Sequence, residues 1–320
     1  MSDLVHQSAA RSVRARRRIA GLIYQTPLLP AQMLGDKTGC DLHFKAENFQ
    51  LTGSFKMRGA ASKMTTLEPG QKLITASSGN HGIASSRAAS LTGHDLTVVL
   101  PETVERAKLD KIRAFGVDVI LHGAESGLAE AYAQSLAGSG DYIYISPYDD
   151  LDVIAGQGTI GLELLEQLGR IDNVFVSMGG GGLISGIGSV LKCFGGQTRV
   201  IGVSAQNSAA LAASMRAGRV VETEHLDTLA DGVAGGVDEG SVTLPLAMTV
   251  IDRVLICSED EIAEALRQLA LNETMLVEGA AALALAGFLQ MADEVRGQSS
   301  VVVLCGGNFG WPTIRSQLSS

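Results

Sequence analysis

The chain is 320 residues long, 46% hydrophobic and 18% charged, with 38 glycines and a formal net charge of −9. That length holds one large or two ordinary domains, and the composition is that of a glycine-rich folded α/β protein rather than a disordered chain. The negative balance argues against nucleic acid or an anionic membrane surface as partner, and no apolar run reaches the ~20 residues of a spanning helix. Cys40, Cys193, Cys257 and Cys305 show no C-x-x-C spacing, which points to free thiols in a reducing cytoplasm and to no zinc site.

Residues 1–23 carry Arg11, Arg14, Arg16, Arg17 and Arg18. Arg-rich openings occur in transit peptides. Here Val5, Ala9, Val13, Ala20 and Ile23 fall on or near one helical face with arginines on the other, so a first amphipathic helix is the expectation. From residue 40 short β-rich runs alternate with helix-length stretches. The predicted strands are Leu42–Ala46, Leu73–Ala76, Leu96–Leu100, Val117–Leu121, Tyr142–Ile145, Val174–Ser177, Val200–Ser204, Arg253–Cys257 and Val301–Leu304. The segments between them include predicted helices at Gly82–Leu91, Glu105–Phe115, Ala124–Ala137 and Ile160–Leu168. Such alternation predicts βαβ units and parallel sheets covered on both faces. About nine strands are many for one compact sheet, which makes two α/β domains plausible, although no linker marks a boundary.

Four stretches carry chemistry. The first runs from Phe44 to Ala60: a short strand, a Thr52-Gly53 turn, then a helix whose N-cap is expected at Ser54. Lys56 falls in the first turn, where the macrodipole disfavours a cation. A positive helix end and burial both lower a lysine's pKa, and a neutral lysine is a nucleophile suited to a Schiff base. A solvated helix lysine is the plainer alternative. The second stretch is Gly179-Gly180-Gly181-Gly182-Leu183, between a strand and a helix, where consecutive backbone N–H groups suit a phosphate. It is not a P-loop, and a G-x-G-x-x-G reading fails at Ser185. A tight strand-to-helix connection is the alternative. The third is Ser77-Ser78-Gly79-Asn80-His81, whose hydroxyls and N–H groups at a helix start suit a carboxylate or serve as an ordinary cap. The fourth is Cys305-Gly306-Gly307-Asn308, where Cys305 also reads as a small buried hydrophobe at a strand end.

Together with Pro147-Tyr148-Asp149-Asp150, Ile154-Ala155-Gly156-Gln157-Gly158-Thr159 and Leu229-Ala230-Asp231-Gly232, these motifs occur in an order that resembles the fold-type II pyridoxal-phosphate enzymes. That is the tryptophan-synthase-β-like superfamily, and the likeness is to its serine/threonine dehydratase and serine racemase branch. It covers the chain from about Thr26 to Asn308. The resemblance implies two parallel-sheet, three-layer αβα domains with the cofactor in the cleft between them. The small domain would span 50–148, and the large one 1–49 plus 149–320. It implies that Lys56 carries the cofactor as a Schiff base, that Phe55 packs on its ring, and that the tetraglycine loop with Leu183 holds its phosphate. Asn80 would reach the ring hydroxyl oxygen, Cys305 the pyridine nitrogen, and Glu278 would lie near the ring or simply act as a helix-start acid. Ser77, Ser78, Gly79, Asn80 and His81 would take the substrate carboxylate, and Ser146-Pro147-Tyr148 would lie near the substrate.

The implied reaction is removal of water and ammonia from a β-hydroxy amino acid such as threonine or serine. Lys56 acts as base at Cα, and the products are a 2-oxo acid and ammonia. Ser78 stands where serine racemases of this branch place a second acid/base, so racemisation is the alternative, as are bulkier substrates such as 3-hydroxyaspartate or phenylserine. A non-catalytic binding protein and a nicotinamide dehydrogenase are weaker readings. Metal-dependent relatives have carboxylates at the positions of Ser204 and Ala210, so no Mg²⁺ or Ca²⁺ is expected there. Ile83 departs from the Gln that many relatives carry. The short tail after Asn308 leaves no room for a feedback domain, and the branch's default is a cytoplasmic homodimer.

Overall fold

The computed structural model describes residues 2–318. In chain order the elements are α1 (Asp3–Ile19), β1 (Leu28–Pro30), α2 (Leu34–Thr38), β2 (Asp41–Ala46), α3 (Lys56–Met64), β3 (Lys72–Ala76), α4 (Asn80–Thr92), β4 (Asp95–Leu100), α5 (Arg106–Arg113), β5 (Asp118–Leu121), α6 (Ser126–Gly138) and β6 (Ile143–Tyr144). There follow α7 (Leu151–Gln167), β7 (Asn173–Ser177), α8 (Gly182–Phe194), β8 (Arg199–Ala205), α9 (Ala210–Ala217), α10 (Thr243–Val250), β9 (Arg253–Cys257), α11 (Glu259–Asn272), α12 (Gly279–Met291), β10 (Ser299–Leu304) and α13 (Trp311–Leu318). Among the described residues no helix is long and apolar enough to cross a membrane.

Two sheets result. One has six strands in the order β1-β2-β10-β7-β8-β9, the other four in the order β5-β4-β3-β6. Every pairing is parallel except β1 with β2. The strands of the larger sheet are apolar on both faces: Val174, Phe175 and Val176 in β7 and Val301, Val302 and Val303 in β10 are all fully buried, as a sheet covered by helices on both sides requires. The Ala- and Leu-rich α12 is buried all round, which identifies it as an interior helix. The nine predicted strands are present within one or two residues at each end. The additional strand β1 was missed because it is short and ends in Pro30, which an edge position tolerates.

Two helices differ from the sequence expectation. In α1 the buried stripe is Val5, Ser8, Ala9, Ser12, Ala15 and Ile19, while Val13 is 43% exposed and Ala20 faces solvent. Small residues line the stripe because α1 lies close against α7: a Cβ on Gly158 would collide with the Ser12 hydroxyl. The helix expected from Ile160 starts instead at Leu151. The Asp150 carboxylate caps it by accepting from the N–H groups of Asp152 (2.7 Å) and Val153 (3.1 Å). Gly156 and Gly158 sit inside α7 as close-approach residues, not as breakers.

Beneath α3 lies a fully buried charged cluster. Arg58 donates to Glu47 (2.7 and 2.8 Å) and to Glu163 (2.6 and 2.9 Å). Lys45 donates to Glu163 (2.5 Å), to the Thr26 carbonyl (2.8 Å) and to Gln167 (2.9 Å). Burial opposes the charge on Arg58, but Glu47 and Glu163 outweigh it and raise its pKa. Burial likewise pushes Glu163 up, and Arg58 and Lys45 bring it below the usual carboxylate range. The cluster ties α3 to β2 and α7, and so fixes the helix that begins with Lys56.

Candidate active site

Parallel strands place their carboxyl ends on one side, and loops from both sheets meet there. After β2 the chain turns through Thr52 (φ 69°) and Gly53 (φ 75°), both in the left-handed region, which strains a β-branched threonine. The turn is held by the segment after β10. Asn308 Nδ2 donates to the Thr52 carbonyl (2.7 Å), Gly307 N to the Gly53 carbonyl (2.9 Å), and Phe55 N to the Cys305 carbonyl (3.0 Å). Ser54 is extended and bridges Gly306. Its buried hydroxyl finds no partner, so it does not cap α3; Phe55 occupies the cap position and Lys56 is the first helical residue. The expectation for Ser54 fails because the strand-like pairing fixes its backbone one residue too early.

Lys56 Nζ donates to the Pro147 carbonyl (2.8 Å) and lies 5.2 Å from the centre of the Phe55 ring. Burial lowers its pKa to about 8, against the opposing influence of Cys305, Glu278 and Glu130. Cys305 is buried and held well above the usual thiol range, first by burial and then by Glu278, so at neutral pH it is a thiol. Glu278 is raised to about 7, again chiefly by burial, while the Asn80 hydrogen bond pulls it down. A substantial fraction of Lys56 is therefore an uncharged amine near pH 8, which is the form that attacks a carbonyl carbon.

Gly179–Gly182 join β7 to α8. Gly181 (φ 89°) is left-handed and stands at the N-cap of α8. The N–H groups of Gly179, Gly180 and Gly181 find no acceptor among the described residues. Unpartnered amides at the start of a helix are a site for an anion. The Tyr148 ring lies against Gly180, so closely that a Cβ there would penetrate it. Phe55, Lys56, Asn80, Pro147, Tyr148, the four glycines, Leu183, Gly232, Val233, Glu278 and Cys305 line one narrow cavity. On the far side of Glu278 a second cavity, about 340 Å³, is lined by Asp231, Glu259, Phe309 and Ile314 among others.

The loop Ser77–His81 enters α4, with Gly79 at its N-cap. Asn80 Nδ2 donates to both Glu278 oxygens (2.8 and 3.0 Å), and its carbonyl accepts from Asn308 Nδ2 (2.7 Å). Glu278 also accepts from Asn308 N (3.1 Å) and does not cap α12 with its side chain. Lys111 of α5 reaches Asn308 Oδ1 (2.7 Å). Ser77, Ser78, Gly79 and His81 stand outside the narrow cavity. The His81 ring is turned into the interior of the smaller sheet, at 2.9 Å from both Thr75 Oγ1 and the Ile145 carbonyl. Burial, and then Lys56, lower its pKa to about 3, so it is neutral. Ile83 packs in the core of the smaller sheet. Ser204 is buried in β8, and Ala210 begins α9.

Several residues around the site carried no local signal in the sequence. Glu130 and Asp238 lie outside every motif, and Tyr144, two residues before Ser146, is placed by the pairing of β6 with β3. Arg58 was visible only as a neighbour of Lys56.

A family model for pyridoxal-phosphate-dependent enzymes matches residues 19–307. The L-threonine ammonia-lyase of Thermotoga maritima is 36% identical over 298 residues, 92% of this chain and 74% of that protein. The processed threonine deaminase isoform 2 of Solanum lycopersicum superposes with a TM-score of 0.94 at 31% identity, covering 100% of this chain and 88% of that one. Maize serine racemase superposes with a TM-score of 0.89 at 28% identity, covering 97% and 96%. The donor set suits pyridoxal phosphate: an amine with a lowered pKa for the aldehyde, unpartnered amides at a helix start for the phosphate, and a neutral thiol for a pyridine nitrogen. The match over most of its length, and a site of this chemistry at the strand ends, place the chain in the pyridoxal-phosphate-dependent enzyme family.

Proposed function

We infer that the chain is an ammonia-lyase of a small β-hydroxy amino acid, of the threonine or serine type, releasing a 2-oxo acid and ammonia. The observation that carries the reading is the half-buried, readily neutral amine of Lys56, lining one cavity with the Cys305 thiol and the unpartnered amides of the tetraglycine loop. The names of the Thermotoga and tomato relatives support it. Bound pyridoxal phosphate supplies the electron sink that makes the Cα proton of the substrate acidic.

The residues of this chain do the rest. Lys56 binds the cofactor and then serves as the base at Cα. Gly179, Gly180, Gly181, Gly182 and Leu183 hold the phosphate, and Phe55 supports the ring. Asn80, fixed by Glu278 and Asn308, orients the ring oxygen. Ser77, Ser78, Gly79, Asn80 and His81 receive the substrate carboxylate on their backbone N–H groups and hydroxyls. Cys305, as a neutral thiol, would face the pyridine nitrogen with a weak hydrogen-bonding group in place of a carboxylate's negative charge.

The substrate enters between residues 50–148 and the remainder of the chain, with no divalent metal at Ser204 or Ala210. A cytoplasmic homodimer belongs to the same reading. Racemisation is a second reading: the Ser78 hydroxyl makes no hydrogen bond to a described residue and is free to exchange a proton, and maize serine racemase shares the fold.

The test is 2-oxo-acid release by the purified, cofactor-loaded protein from L-threonine, L-serine and phenylserine, with and without EDTA. Release from threonine or serine, unchanged by EDTA, is the expected result. D-serine formed from L-serine and lost in Ser78→Ala would establish the second reading, and no release from any substrate would overturn the first.

A further inference from the structure

Among the described residues Lys56 Nζ has one hydrogen-bond partner, the Pro147 carbonyl (2.8 Å). The segment that presents this carbonyl is pinned at both ends. At its start, Ile145 N donates to the Ile74 carbonyl (2.8 Å). The Ile145 carbonyl accepts from Thr75 Oγ1 (2.8 Å) and lies 2.9 Å from His81 Nε2. A carbonyl only accepts, so Nε2 carries the proton of this neutral ring. Thr75, His81 and Ile145 are all buried. At the other end, Asp149 Oδ1 accepts from Ser241 Oγ (2.9 Å) and from Val242 N (2.7 Å). Asp150 caps α7 and pairs with Lys63 (2.6 Å). Lys56 and Lys63 stand about two turns apart on α3 and share a face, so the segment from Pro147 to Asp150 is tied to that helix at two points.

Between these anchors Ser146 shapes the turn. Its hydroxyl oxygen accepts from Asp149 N (2.9 Å) and, at a longer 3.4 Å, from Tyr148 N. A serine used in this way holds its own backbone in a turn. The N–H of Tyr148 and the carbonyl of Pro147 belong to one planar, trans peptide, so the two point in opposite directions. With the N–H turned back toward Ser146, the carbonyl points away from it, and there it meets Lys56. The locked φ of Pro147 removes a further degree of freedom from the same turn.

A lysine amine rides on a flexible four-carbon stem, and its N–H groups rotate. Tying one N–H to a fixed acceptor restricts where the lone pair of the neutral amine points. The same acceptor holds an N–H of the ammonium once a proton has been taken up. We propose that Ser146 is a positioning residue for Lys56: by fixing the Pro147–Tyr148 peptide it makes the Pro147 carbonyl a rigid rest for the lysine nitrogen, both as free amine and as ammonium. The inference rests on the reading of Lys56 as the base at Cα and deepens it. It requires no contact between Ser146 and the substrate.

A hydrogen bond to the charged form of a group favours that form. Loosening the carbonyl therefore destabilises the ammonium and moves the titration of Lys56 to lower pH. The first arm of the experiment follows the rate at which the full chain, cleared of cofactor, captures pyridoxal phosphate as a function of pH. Wild type, Ser146→Ala, Ser146→Thr and Thr75→Val are compared. The midpoint of the profile is expected to fall by about half to one pH unit in Ser146→Ala. Ser146→Thr keeps the accepting oxygen and should recover most of that shift. Thr75→Val frees the start of the segment and should lower the midpoint by a smaller step. Melting temperatures, measured alongside, register any loss of fold separately.

The second arm measures kcat and KM of the cofactor-loaded protein with L-threonine and L-serine. Ser146→Ala is expected to lower kcat by about tenfold and to change KM by about twofold or less, with most of kcat recovered in Ser146→Thr. A capture midpoint unmoved in Ser146→Ala would overturn the proposal, whatever the melting temperature does. So would a raised KM at unchanged kcat, which is the signature of a serine that binds substrate. If the wild type yields no 2-oxo acid from either amino acid, the ammonia-lyase reading fails, and the capture profile still decides whether Ser146 and the Pro147 carbonyl hold the amine.

Discussion

Two buried polar clusters flank the first turn of α3, and they follow opposite rules. Below the helix, Arg58, Glu47, Glu163 and Lys45 answer one another in short hydrogen bonds, with two cations balancing two anions. Above it, Lys56 has one carbonyl partner, the glycine amides beyond it have none, and the nearby acids Glu278 and Cys305 are pushed toward their neutral forms by burial. The saturated cluster holds α3 in place. The unsaturated one can bind and react, because its groups have hydrogen-bonding capacity and proton affinity still uncommitted.

The contrast can be broken from either side. The largest expected effect is on chemistry: Lys56→Ala should lower 2-oxo-acid release by about 1,000-fold or more, since it removes both the cofactor attachment and the base. Its melting temperature should hold or rise, because desolvation disfavours the lysine's charge and its amine has one carbonyl partner; a large fall would mean that Lys56 is structural. Next comes Arg58→Met, which leaves Glu47 and Glu163 buried without their shared cation. Denaturant unfolding should show a loss of about 3–5 kcal/mol. A loss within the range of ordinary surface changes would show that the cluster does not hold α3.

The smallest effect sharpens the comparison by pH. Lys56 has its pKa lowered to about 8, so the neutral amine grows as pH rises. The rate at which apoprotein captures pyridoxal phosphate should climb about tenfold per pH unit below that value and level off above it. A rate still climbing at the pH of an ordinary lysine would mean that burial does not tune the amine.

Much of this site was legible before any fold was known. Lys56, the tetraglycine loop and Cys305 each stand at a strand or helix end, where local residue types announce exposed N–H groups or an activated side chain. The strands were legible too, as short apolar runs with Val and Ile. Less legible were features whose meaning depends on a distant neighbour. The glycines of α7 carried no packing signal in the sequence, yet Gly156 is where α3 comes close, and Gly158 where α1 and α8 do. Ser54 read as a cap, and its pairing with Gly306 made it extended. His81 read as part of the carboxylate loop, and its ring is taken up by Thr75 and Ile145.

By itself the sequence determined the alternation of strands and helices, the ordered motifs and therefore the family, because periodicity and turn chemistry act over a few residues and need no partner. Only the tertiary structure decided what surrounds the amine. Burial lowered the Lys56 pKa, the pairing of β6 with β3 brought Tyr144 to Glu130, and the loop after Val233 carried Asp238 onto Tyr148. Those are contacts across more than a dozen residues, set by packing and by a local dielectric that no stretch of sequence contains.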